Sequence, residues 1–141
     1  MTAALGLSRF KKIDSLINLR RKNSQYLNKG LSIIKGIITP VANPGNFSVF
    51  QLYTIYLRGG KTQRDALKEH LNKKGVMAKV YFPPVHLSSF YRSTFKCNLG
   101  DLPVTEHVAD SVLTLPMYPT LTKREMDFMI FQIKLFFKQH G

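Results

Sequence analysis

The sequence predicts an α+β domain: one small, mostly antiparallel sheet with helices on one face. Three observations carry that reading. Apolar residues recur at helical spacing, then in short β-branched or alternating runs, and the order along the chain comes out as α-β-β-α-β-α-β-α. Turn formers cut the runs at Pro40, at Gly59-Gly60, at Gly75 and at Pro83-Pro84. The 141 residues suffice for one core, and no internal repeat or low-complexity segment divides them.

The elements follow in order. From Ala3 to about Lys29, Leu7, Phe10, Ile13, Ile17 and Leu27 recur with charges between them, which predicts a long amphipathic helix ending near Gly30. Its first turns, Ala3 to Leu7, are small or apolar all round, as in a helix packed on every side. Nothing precedes them in the sequence to do that packing, so this end reads as if cut from a larger body. Ile33 to Thr39 is β-branched and predicts a strand stopped by Pro40, followed by a loop over V-A-N-P-G-N. Val49 to Leu57 is apolar on both faces, which predicts a central strand. T-Q-R-D at 62 to 65 fits the capping pattern of a helix running to about Lys74, with Gly75 as its left-handed stop. Ala78 to Phe82 reads as a strand, Thr105 to Asp110 as a short helix and Leu113 to Leu115 as a short strand. A second capping box, T-K-R-E at 122 to 125, opens a last helix with Met126, Met129, Ile130, Ile133 and Phe137 at core spacing.

Composition bounds the function. No apolar run reaches the ~18 residues of a membrane span, and the opening residues make no secretory signal. Together with a single cysteine, Cys97, this predicts a cytoplasmic protein without disulfides and without a membrane partner. The net charge is +13, from 21 Lys and Arg against 8 Asp and Glu, and such a field attracts polyanions. The charge is dispersed, with no run of five basic residues, so solvated helix faces explain it better than a nucleic-acid arm.

Local chemical motifs are sparse. G-G-K-T at 59 to 62 lacks the earlier glycine of a phosphate loop, because Ile55 stands there; a turn and a helix start account for it. His70, His86, His107 and His140 have no metal-ligand spacing, so no metal is expected. Cys97 has no nucleophile signature and reads as a buried or loop thiol.

The second half of the chain is more specific. K-V-Y-F-P-P-V-H-L-S-S-F-Y-R at 79 to 92, G-D-L-P-V-T-E at 100 to 106 and V-L-T-L-P-M-Y-P-T-L-T at 112 to 122 resemble three consecutive signatures of the DegT/DnrJ/StrS family. A-A-L-G-L-S-R-F-K-K-I-D at 3 to 14, L-Y-T-I-Y-L at 52 to 57 and R-D-A-L at 64 to 67 resemble earlier segments of the same family, so the resemblance spans nearly the whole chain. It implies the small C-terminal domain of a fold-type I aminotransferase, residues 1–141 forming that single domain. Residues 1–30 would then lead out of an N-terminal domain that binds pyridoxal phosphate (PLP).

The family's members are PLP-dependent aminotransferases acting on nucleotide-linked keto-sugars. The resemblance therefore implies transfer of an amino group from an amino acid, glutamate above all, to a keto nucleotide-sugar in polysaccharide or secondary biosynthesis, by a homodimer. In the family the Schiff-base lysine, the aspartate at the pyridine nitrogen and the phosphate cradle lie upstream of the matched region. No catalytic or cofactor-binding residue is therefore expected in this chain, nor activity or cofactor binding by the chain alone.

For the substrate wall the resemblance offers His86, Tyr81 and Arg92. His86 either bonds a sugar hydroxyl or phosphate or pins the loop after Pro84; Tyr81 offers a ring and a hydroxyl. Arg92 either forks onto a phosphate or stands as a solvated charge, while L-P-M-Y-P at 115 to 119 reads as packing. A competing reading makes the chain a basic non-catalytic module for nucleic acid or a regulatory partner; it requires salt-sensitive binding to a contiguous basic face.

Overall fold

The strand Tyr53–Leu57 (β2) organises the molecule, because its side chains alternate between buried and half-buried along its whole length. The computed structural model describes residues 2–140. In chain order, α1 (Thr2–Phe10) and α2 (Ile13–Leu31) precede a short β1 (Ile37–Ile38), then β2, then α3 (Gly60–Lys73). A 3-10 turn at Val85–Leu87 leads into α4 (Ser89–Phe95), α5 (Pro103–Ser111), β3 (Val112–Leu115) and α6 (Lys123–His140). The sheet order is β1-β2-β3, antiparallel throughout, with Tyr53 facing Leu115 and Ile37 facing Leu57. The expected α+β class and the central position of β2 are both observed.

Tyr53, Ile55 and Leu57 enter a core with Leu27 and Leu31 of α2, Leu67 and Leu71 of α3, and Ile133 and Phe136 of α6. The buried Tyr53 phenol donates to Asn28 Oδ1 at 2.6 Å, and Asn28 Nδ2 donates to the Pro40 carbonyl at 3.0 Å, so a polar group inside the core keeps its partner. Burial pushes that phenol's pKa up. At Gly30 the helices α2 and α6 approach so closely that a Cβ would fall 2.4 Å from Ile130 Cδ1.

Two terminators work as the sequence implies. Gly75 takes φ +80°, Val76 N–H reaches back to the Leu71 carbonyl at 2.9 Å and Gly75 N–H to that of Asn72 at 3.0 Å, a Schellman stop for α3. At α6, Thr122 N–H donates to Glu125 Oε2 at 2.7 Å while Glu125 N–H returns a longer bond, 3.3 Å, to Thr122 Oγ1.

Several elements differ from expectation. The single long helix is two: Lys12 sits at φ −110°, ψ 5°, and the Ser15 hydroxyl takes the Lys12 carbonyl at 2.7 Å. The strand expected over Ile33 to Thr39 shrinks to Ile37–Ile38, because Ile34 N–H bonds back to Leu31 and Gly36 turns at φ +96°. The one expected from Val49 starts at Tyr53, and that over Ala78 to Phe82 is reduced to an isolated bridge between Lys79 and Thr114. Helix α3 starts at Gly60, two residues before the T-Q-R-D box, and the Gln63 side chain accepts the Gly59 N–H at 3.2 Å instead. Helix α4 was not foreseen.

Among the described residues no helix is long and apolar enough to cross a membrane, and no cluster of three metal-binding side chains occurs.

Candidate functional site

On the other side of the sheet the pattern reverses. Thr54 and Tyr56 alternate with the core residues of β2 and are only half-buried. Thr54 Oγ1 pairs with Thr114 Oγ1 across the strands at 2.8 Å, and the Tyr56 hydroxyl meets His107 Nε2 of α5 at 2.9 Å. Beside this polar ladder lies a cleft of about 360 Å³ whose lining includes Gln51, Lys79, Tyr81, Thr114 and Met117. Tyr81 also lines a second, mainly apolar hollow of about 340 Å³ that reaches Phe82, Val104 and Val108 of the α5 region. It therefore stands on the ridge between two concavities.

The loop that supplies Gln51 is strapped to α2. Arg20 Nη1 donates to the Gln51 carbonyl at 3.2 Å, and Arg21 Nη1 to that of Ser48 at 2.7 Å, with its guanidinium 4.2 Å above the Phe47 ring. Phe50, in the left-handed region at φ 45°, turns the chain just before Gln51.

His86 is buried, 8% exposed, in the turn that follows Pro83-Pro84. Its Nε2 lies 2.8 Å from Glu106 Oε1. That carboxylate also accepts the Gly100 N–H, at 2.9 and 3.0 Å to its two oxygens, and the Leu102 N–H at 3.4 Å. An ionised carboxylate only accepts, so Nε2 carries the hydrogen. The bond from His86, above all, holds the Glu106 carboxyl below its ordinary range; desolvation opposes it, and the Gly100 and Leu102 N–H groups add lesser support. His86 thus ties the loop after the prolines to the first turn of α5. Its Nε2 is committed within the chain, and neither concavity beside Tyr81 counts His86 in its lining.

Arg92 lies on α4, exposed, beside a cluster of edge-packed rings, Phe90, Tyr91 and Phe95. It lines neither concavity, so the fold gathers Tyr81, but not His86 or Arg92, at the cleft.

Sequence reasoning missed Glu106, Gln51 and Lys79. Glu106 had a signal: an acid in the first turn of a helix opened by Pro103 folds back onto the N–H groups preceding it. Gln51 and Lys79 had none, because a long loop and an isolated bridge bring them together.

A larger groove, about 700 Å³, lies across Met77, Pro116 and Tyr118 from the cleft and runs along α6 past Phe128 and Phe131. Two carboxylates on it are already taken: Glu125 by Thr122 and the Tyr118 hydroxyl, and Asp127 by the Tyr26 hydroxyl at 2.5 Å. It is the roomier concavity, but the smaller cleft is where uncommitted polar groups converge, and that makes it the better candidate site.

The donors needed to hold PLP do not fit this chain. A Schiff-base lysine is activated by burial or a neighbouring cation, yet every lysine among the described residues is exposed except the half-buried Lys68.

Comparison with known proteins gives the fold a family. Residues 1–134 match the DegT/DnrJ/EryC1/StrS aminotransferase family. The chain is 33% identical over 124 residues to a dTDP-3-amino-3,4,6-trideoxy-alpha-D-glucose transaminase of Streptomyces venezuelae, covering 87% of this chain and 31% of that protein. The crystal structure of S. venezuelae DesV, in complex with a ketimine intermediate, matches with a TM-score of 0.87 at 30% identity, over 96% of this chain and 36% of the other. A Streptococcus pneumoniae protein in its PLP form shares the fold at 22% identity, TM-score 0.89, over 97% of this chain and 35% of the other. The chain spans about a third of the length of the curated relatives it matches, 35%, 37% and 34% for three of them. With a family match over nearly its whole length and a fold to agree, the chain belongs to the DegT/DnrJ/EryC1/StrS aminotransferase family.

Proposed function

We propose that the chain is the C-terminal domain of a PLP-dependent aminotransferase that passes an amino group from an amino acid, glutamate first among candidates, to a keto nucleotide-sugar. The single observation that supports this best is the match to DesV, which pairs 30% identity with a TM-score of 0.87 over 96% of the chain. The cofactor and its lysine belong to a domain outside these residues. When bound there, PLP supplies the electron sink for moving the amino group.

The part of this chain is to wall the substrate pocket. The open face of the sheet, with Tyr81 on its ridge, faces the sugar; the Tyr81 ring and hydroxyl contact and orient it. His86 acts through Glu106 as a positioning residue for the loop that carries Tyr81. Arg92, exposed on α4, is available to an anionic group. Helix α1 buries none of its residues, and its exposed Leu5, Leu7 and Phe10 suit packing against the cofactor domain. A homodimer working in the cytoplasm completes the reading.

The test is a chimera in which this chain replaces the matching third of an active relative. The chimera should load PLP and convert a dTDP-linked keto-sugar with glutamate, while the isolated chain does neither. A folded, PLP-loaded chimera inactive on every nucleotide keto-sugar its parent accepts would overturn the proposal.

A further inference from the structure

We infer that Met77 is an oxidative modification site: a hydroperoxide converts its thioether to the sulfoxide, and this one change alters the cleft beside Tyr81 and the groove along α6 together. The inference goes beyond the reading above. Only the consequence for a substrate rests on that reading.

The backbone puts this side chain where it is. Val76 and Ala78 on either side are buried, and the Ala78 N–H is held by the Val76 carbonyl at 2.8 Å and by Asn72 Oδ1 at 2.9 Å. The first of these bonds closes a three-residue turn with Met77 at its centre. With both neighbours pinned in the core, Met77 stands outward and is 67% exposed. It joins Pro116 and Tyr118 in the wall shared by the cleft of about 360 Å³ and the groove of about 700 Å³, and it also lines a third hollow beside Lys68 and Asn72. A flexible apolar thioether therefore occupies the place where three concavities meet.

Exposure makes the site selective. Of the other described methionines, Met126 and Met129 are 5% and 3% exposed within the core, and Met117 is half-buried against it. In the reaction the Met77 sulfur takes the terminal oxygen of a hydroperoxide as the O–O bond breaks, and the hydroxyl proton passes to the departing oxygen. The thioether is oxidised to the sulfoxide and the hydroperoxide reduced to an alcohol, or to water when hydrogen peroxide is the oxidant. The product sets a polar, hydrogen-bond-accepting oxygen into a wall that was apolar on both sides. On the cleft side the Lys79 ammonium and the Gln51 amide are donors for it. Because the thioether lies outside the core cluster, the change falls on the concavities and spares the fold.

The test treats the 15N-labelled chain with hydrogen peroxide in a Cys97→Ser background, which removes the competing thiol, and reads it by peptide mass spectrometry and amide chemical shifts. Met77 should gain one oxygen about tenfold faster than Met117, Met126 or Met129. Amides of Lys79 and Thr114 at the cleft and of Phe128 and Phe131 at the groove should move, while those of Leu27 and Ile133 in the core stay. Met77→Leu should abolish these shifts under the same peroxide, and a methionine sulfoxide reductase should reverse them in the parent. The inference is overturned if Met117 oxidises as fast, if only one concavity responds, if the core amides move as well, or if Met77→Leu responds like the parent. In an active chimera, oxidation should raise the KM for the keto-sugar, and Met77→Leu should prevent the rise; a KM indifferent to oxidation sinks the consequence for substrate. An inactive chimera defeats the functional reading and leaves the result on the isolated chain standing.

Discussion

The two faces of the sheet take opposite shares of one alternating strand. Tyr53, Ile55 and Leu57 are removed from water beneath α2, α3 and α6, whereas Thr54 and Tyr56 are half-buried and bond Thr114 and His107 in a polar ladder. The covered face is closed by apolar contact and explains why the chain folds. The other face leaves Tyr81, Lys79 and Gln51 exposed along a concavity, with no hydrogen bond or ion pair from their side chains among the described residues. In a chain that spans about a third of the curated relatives it matches, the difference separates a face closed by its own core from a face left for the proposed site.

That contrast can be broken by substitution. Ile55→Ala, on the covered face, should cost about 2–5 kcal/mol in chemical unfolding, while Thr54→Val, half-buried on the opposite face, should cost at most about 1 kcal/mol. Equal losses would erase the distinction. Gly30→Ala should cost about 1–3 kcal/mol by forcing a methyl into Ile130, and Ile130→Val, which deletes the clashing Cδ1, should recover part of it in the double mutant.

A smaller effect belongs to the loop that carries Tyr81. Glu106 has a depressed carboxyl pKa in the folded chain, so its contribution is fully present above its unfolded value and is lost as pH falls through the folded one. Thermal melts from about pH 6 down to pH 3 should therefore lose less stability in Glu106→Gln than in the parent. An unchanged acid limb would show that the His86–Glu106 pair bears no weight.

Much of the covered face was legible beforehand, because burial imposes periodicity: β2 as the central strand, Gly75 as a stop and T-K-R-E as a start all follow from local rules. The break at Lys11–Lys12 was not, since apolar spacing runs straight through it and the departure lies in the backbone of Lys12. Nor was the loss of the strand over Ala78 to Phe82; its apolar, β-type residues found only Thr114 to pair with. On the open face only Tyr81 was picked out and found at the cleft. His86 was singled out as well, but the side chain that decides what its ring does, Glu106, is 20 residues away. Clefts made from loops and isolated bridges leave no period in the sequence, and Gln51 and Lys79 were invisible for that reason.

The central claim, that the open face is a substrate wall, is tested most directly by steady-state kinetics of Tyr81→Ala in the active chimera. The KM for the keto-sugar should rise about tenfold, with kcat and the melting temperature nearly unchanged, as for a residue that binds substrate and transition state alike. A KM equal to the parent's would contradict the account.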